Sequence, residues 1–397
     1  MRPVLLRGSL SVAALAAAIL ASCASGPTEG EIEAARVAAE AAEIAARDGP
    51  PISLNRSVAE AAAVYLAFSR DMAALEGGFT NPEQVQAALR RGAAYDPEQI
   101  SRGLVAYASI LALQSPEFVA GVRSMADDPA TREKLVADIV ADPAYASRLP
   151  GAAAAAGLVM STLGANINAL GQAANSIEND AYAIQARYDP RRSWGVAEVR
   201  DRMGRLEAAK VQSAQIMQPA AEEASRLFAA AHSGGGALPV DGAPRQAPYP
   251  PAVVNALALA ALASLGYAGE NARANTDALQ FDRVSHGCLT MSKLNLFQCL
   301  AASRPNYEDM FCLGRHIVRD LATCSRGAAM PAAIVTVSDV TAVEPVAPRP
   351  EPIIVTAPPA TPNPITITPT PRATAPAERD VSLTEQLNSQ PSPPRED

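Results

Sequence analysis

The sequence is short of the side chains from which most active sites are built. Of 397 residues only three are histidine: His232, His286 and His316. Nucleophilic catalysis by a Ser/His/Asp or Cys/His set needs a base held beside the nucleophile, and three scattered histidines offer little for that. There is no G-x-S-x-G elbow, no phosphate-cradling glycine loop, no H-E-x-x-H and no calcium-binding loop. Basic residues number 33 against 41 acidic ones, for a formal net charge of −8. Phosphate binding needs a concentrated basic footprint, and none is present, so nucleic acid is not an expected partner. No cofactor and no catalytic residue are expected. Almost nothing after the N-terminus alternates with the period of two that marks a strand.

What is present begins with Arg2 and Arg7 ahead of an apolar run, SLSVAALAAAIL. A positive start, a short apolar core and a small-residue end are the parts of an export signal. The run is too short to span a bilayer comfortably, which takes ~20 apolar residues. Its end, Leu20-Ala21-Ser22-Cys23, resembles the lipobox of bacterial lipoproteins. That resemblance implies cleavage before Cys23 and lipid on the Cys23 thiol. Several acyl chains would then hold the protein firmly, at ~0.8 kcal/mol for each buried CH₂. Ala24, where an inner-membrane retention signal often shows Asp, implies the outer membrane, with the body facing the periplasm. The competing expectation is an ordinary secretory signal with Cys23 incidental to it.

The expected divisions are a signal at 1–22, an anchor and helical linker at 23–51, and a helical body at 52–232. A Gly/Pro linker or loop follows at 233–250, then a helix and cysteine-rich hairpin at 251–330, and a tail at 331–397. Within the body one device recurs. A short polar residue precedes proline at Asn81-Pro82, Asp96-Pro97, Ser115-Pro116, Asp128-Pro129, Asp142-Pro143 and Asp189-Pro190. Such residues accept from the free amides of a first helical turn, and proline fits there because its missing N–H has no partner to lose. The fold class that follows is all-α, an irregular helical bundle.

After Pro150, Met160, Leu163, Ile167, Leu170, Ala174, Ile177, Ala181, Ile184 and Tyr188 recur at alternating three- and four-residue steps, an apolar seam on one long helix. A second stripe of Gly157, Ser161, Gly164, Asn168, Gly171 and Asn175 is small enough for another backbone to approach. No charge falls between Arg148 and Glu178, which raises a membrane-inserting alternative; the amides along the helix argue against it. Residues 252–269, AVVNALALAALASLGYAG, are apolar nearly all round and should be buried.

Four cysteines, Cys288, Cys299, Cys312 and Cys324, are grouped, with no CxxC pair among them. In an oxidising compartment they are expected as two disulfides. Pro305 lies near their centre of symmetry, so two helices folded back at residues 303–306 would pair Cys299 with Cys312 and Cys288 with Cys324. Leu294, Phe297 and Leu300 should then meet Leu313, Ile317 and Leu321. One misfit is that Cys312 and Cys324, twelve residues apart, diverge by ~120° on an ideal helix, which expects Cys324 at or past a frayed end. The pattern is similar to twin-cysteine helical hairpins, with longer spacing. The metal alternative would use Cys312, His316 and His286 on zinc. Glu308, Asp309 and Asp320 are expected on a solvated helix face, and His232 exposed beside the Gly-rich segment.

The tail is rich in proline and threonine and is expected to be disordered, since it cannot bury enough apolar surface. Within it EPIIVTA, at residues 351–357, resembles the TonB box of outer-membrane TonB-dependent receptors. Those receptors, unlike this chain, carry the motif ahead of a barrel. The resemblance implies strand pairing of Ile353, Ile354 and Val355 with a protein partner; the alternatives are a cell-wall partner for the tail or chance in a Pro/Thr segment. The expectation for function is a lipid-anchored envelope protein with a structural or interaction role. The alternatives are an envelope hydrolase or binding protein with a pocket between helices, and a membrane-inserting helical protein.

Overall fold

In this computed structural model the described residues are Arg36 and residues 50–332. The signal, Cys23, the N-terminal linker up to residue 49 other than Arg36, and the tail from residue 333 with Ile353, Ile354 and Val355 lie outside them.

The polar-proline device sets where helices begin. Asn81 accepts from the Gln84 amide, Asp96 from Gln99, Ser115 from Phe118 and Asp128 from Ala130 and Thr131, each with proline in the first turn. These caps, worth about 1 kcal/mol each, open α2 (Pro82–Ala93), α3 (Pro97–Ala112), α4 (Pro116–Ser124) and α5 (Pro129–Ala141). Asp142 and Asp189 cap in the same way but open 3₁₀ turns, Pro143–Arg148 and Pro190–Arg192. Ahead of these, Asn55 caps α1 (Arg56–Ala73).

The chain continues through α6 (Ala152–Ala186), the single turn α7 (Ser193–Val196), α8 (Arg202–Ser213), α9 (Ala221–His232), α10 (Pro251–Ser264) and α11 (Arg273–Gln280). It ends in α12 (Arg283–Ala302), α13 (Asn306–Leu313), a π-helical segment Gly314–Arg319, and α14 (Asp320–Ala329). The fold is all-α. Among the described residues there is no strand, only two isolated bridges, Leu54 with Ala268 and Glu198 with Pro305.

The core is centred on α3 and α10. Eleven of the fourteen residues of α10 are buried, as expected for a helix apolar on every side. Helix α3 packs on α1, α10, α6 and α12. Its approach to α1 depends on Gly103, where a Cβ would lie 2.5 Å from the Ala61 carbonyl oxygen and 2.6 Å from the Tyr65 Cβ.

The seam of α6 is buried from Met160 to Ile184. Tyr188, its expected last member, lies past the helix end and is 67 % exposed, because the chain turns at Asp189-Pro190. The small-residue stripe splits into two uses. At Gly157 another backbone does arrive: a Cβ there would meet the Ala243 carbonyl oxygen at 2.3 Å. Residues 233–250 therefore run as a loop on the body, with Ala237 and Leu238 amides donating to Gln114 and Arg245 to the Ala153 carbonyl. Farther along, Asn168 accepts from Arg326 and Asn175 from Arg319.

Helices α12 and α13–α14 form the hairpin. Cys288 bonds Cys324 with Cα atoms 5.5 Å apart, and Cys299 bonds Cys312 with Cα atoms 5.7 Å apart. Cys324 is not at a frayed end; it is buried in mid-helix. The π segment Gly314–Arg319 resolves the angular misfit. A π turn absorbs one extra residue, so the twelve-residue spacing behaves as eleven, and eleven residues end within about 20° of whole turns. The apolar contact also differs in one member. Leu294 is 47 % exposed, while Leu289 and Leu296 join Leu300, Leu313, Ile317 and Leu321 inside.

Candidate functional site

Where the hairpin folds back, its elbow becomes the rear wall of a cavity of about 690 Å³ between α2, α7 and α8. Each wall follows from local sequence. On α2, Val85, Ala88 and Leu89 are buried, which turns Glu83, Gln86 and Arg90, spaced three and four apart, toward the opening. Asp201 accepts from the Gly204 amide at 2.8 Å and starts α8, from which Gly204, Arg205 and Ala208 line the floor. Between α7 and α8 the residues Ala197, Glu198, Val199 and Arg200 form one side.

The elbow is fastened to this side by a short antiparallel pairing. The Val199 amide donates to the Arg304 carbonyl at 2.8 Å, and the Asn306 amide to the Ala197 carbonyl at 3.1 Å. The Asn306 side chain donates to the carbonyls of Trp194 and Ala197, each at 2.9 Å. Arg202 donates to the carbonyls of Ala301, Ala302 and Ser303 at the end of α12. A cation at these orphan carbonyls suits the negative end of the helix dipole.

Beneath the floor is a buried ion pair. Arg205 Nη1 donates to Asp309 Oδ1 and to Ser303 Oγ, and Nη2 to the Leu300 carbonyl. Asp309 Oδ1 also accepts from Ser303 Oγ at 2.6 Å, and Oδ2 from the Gln86 side chain at 2.7 Å. Asp309 is fully buried, which corrects its expected place on a solvated helix face; the reason is Arg205, 104 residues away in sequence. Two donors in this wall have no acceptor: Arg205 Nε and Trp194 Nε1 are both buried and unpartnered. A buried donor without an acceptor costs about 1–3 kcal/mol. Of the charged lining residues, Glu83, Arg90, Glu198, Arg200 and Asp201 enter no ion pair among the described residues.

The other predicted sites fall elsewhere. The zinc alternative is not brought together: Cys312 is in a disulfide, His316 faces Asp320 at 3.3 Å, and His286 packs on Phe281. Among the described residues no three potential ligands converge. His232 is exposed as expected, yet it has a structural partner. Its Nε2 accepts from the Leu54 amide at 3.3 Å, which places the ring proton on Nδ1, toward the Phe228 carbonyl. Sequence reasoning missed the cavity entirely, although it holds the only tryptophan in the chain.

Comparison with known protein families, curated proteins and solved structures finds no match. The chemistry of the site must speak for itself.

Proposed function

We propose that this protein is an outer-membrane-anchored periplasmic lipoprotein with a structural or interaction role in the envelope. The observation that supports it is the pair of disulfides in the hairpin, because structural disulfides belong to oxidising compartments. That agrees with the export signal and with Cys23 as the lipidation residue. The test is metabolic labelling with a clickable palmitate analogue, followed by fractionation. Label is expected in the outer membrane and is expected to vanish in Cys23→Ala; an unlabelled, soluble parent chain would overturn the reading.

The second reading, a binding protein with a pocket between helices, is supported by the two unpartnered donors at the cavity wall. The lining contains no hydroxyl, thiol or imidazole among the described residues, so no Ser-, Thr-, Cys- or His-based hydrolytic set is assembled there. Helix α6 supports packing in the body rather than insertion into lipid, since its seam is core and Asn168 and Asn175 engage arginines of the neighbouring helix. For the segment 351–357 we keep strand pairing as a proposal. Its check is a binding assay of that peptide against an Ile354→Pro version, in which equal binding would remove it.

A further inference from the structure

We propose that the cavity binds an extended peptide, which adds itself as a strand along the free edge of Glu198. This rests on the ligand-binding reading above and goes beyond it by naming the ligand class and the groups that recognise it. It does not depend on the lipid anchor.

The first support is backbone geometry. In the antiparallel bridge, the hydrogen bonds run from Val199 to Arg304 and from Asn306 to Ala197. Glu198 and Pro305 are therefore the non-hydrogen-bonded pair. In such a pair each residue's own N–H and carbonyl point away from the partner segment. The Glu198 backbone makes no hydrogen bond among the described residues, and Glu198 lines the cavity. An exposed donor and acceptor on an edge form a template for a further strand. The segment behind them is held by Asn306, Arg202 and the Cys299–Cys312 bridge, so the edge is presented with little ordering left to do.

The second support is the pair of orphan donors. Arg205 is 8 % exposed, and its Nε, like Nε1 of the lining residue Trp194, is buried without an acceptor, so a ligand engages either only as that side chain turns toward the cavity. Peptide carbonyls supply acceptors at regular intervals, and the strand-forming edge supplies their direction. The third support is charge. Glu83, Glu198 and Asp201 of one sign and Arg90 and Arg200 of the other enter no ion pair around the opening. A polyanion would meet the carboxylates and a polycation the guanidinium groups, whereas a peptide of mixed charge can answer both. A volume of about 690 Å³ falls in the ordinary range for ligand sites, ~300–1,000 Å³.

Because Trp194 is the single tryptophan, its emission reports occupancy of this cavity alone. The experiment selects binders from a displayed random decapeptide library with the full chain carrying Cys23→Ser, disulfides intact. Each selected peptide is then titrated while tryptophan emission is read. A saturable shift is expected. N-methylation of the one peptide amide that donates to the Glu198 carbonyl should weaken binding about tenfold, and methylation of the other amides little, as loss of one strand hydrogen bond predicts. Glu198→Pro, which removes the amide, should lose about tenfold, and Glu198→Gln, which keeps the amide and removes only the charge, should lose less. N-methylation effects that are uniform or absent would overturn strand addition. If no peptide moves the emission but free amino acids or small carboxylates do, the cavity is a ligand site and the peptide inference falls. If none of these probes moves it, the ligand-binding reading falls as well.

Discussion

Lys293 is a residue whose surroundings strongly disturb its chemistry. It is buried on α12, with its ammonium donating to the carbonyls of Tyr95 and Ser213 and lying 4.5 Å from the centre of the Tyr95 ring. Those carbonyls close the C-terminal ends of α2 and α8, where a cation is favoured. Burial nonetheless pushes the ammonium down from its ordinary 10.5 to about 8, against the pull of the Asp96 carboxylate. The folded value lies below the unfolded one. Between about pH 8 and 10.5 the unfolded chain therefore binds more protons, and stability rises with pH. Measured against Lys293→Met by urea unfolding, the parent should gain stability across that window. A difference that stays flat with pH would show a solvated ammonium. The Arg205–Asp309 pair makes a second residue-scale prediction. Asp309→Ala leaves a buried guanidinium without its partner and should cost about 3–5 kcal/mol, whereas Arg205→Met with Asp309→Leu should recover most of that loss. Equal destabilisation of single and double variants in urea unfolding would contradict the account.

Among elements, the hairpin shows how far spacing can be read. The symmetry of four cysteines about Pro305 was enough to pair them, because two antiparallel arms impose mirror-related registers. The twelve-residue interval was not enough to place Cys324, since the ideal helical angle assumes an uninterrupted α ladder. No residue in GRHIVR advertises a π turn; the disulfide and the contacts of Gly314 and Arg319 with α6 select it. Deletion of the exposed Arg315 should therefore be tolerated. The arm would become a regular α-helix with cysteines eleven apart, about 20° from alignment. Peptide mapping of the non-reduced protein should still find both bridges, and loss of Cys288–Cys324 would show that the π segment does something other than set register. The capped starts were legible for a local reason, since an Asn, Asp or Ser and the amides it satisfies lie within three residues of each other.

For the molecule as a whole, long-range convergence is what the sequence conceals. The cavity draws its walls from residues 82–90, 194–208 and 306, and the apolar pattern of each stretch reports only the face turned to the core. Asp309 read as solvent-exposed because its partner lies 104 residues upstream. The burial of α10, by contrast, was visible in its own composition. Hydrogen exchange should find the slowest amides of the body in α3 and α10, opening only with global unfolding; exchange there as fast as in the peripheral α5 would refute this core. The way the chain joins the body has a mechanical side. At residues 50–55, the Ser53 amide is bonded to the Ala263 carbonyl, Asn55 to Ala268 and Leu54 to His232, and Arg123 holds the Pro50 carbonyl. A pull transmitted from the N-terminal side would load these bonds together before it could peel α1 away. Force applied from the N-terminal side would thus be borne near residue 54, leaving the cavity wall at Glu198 unloaded.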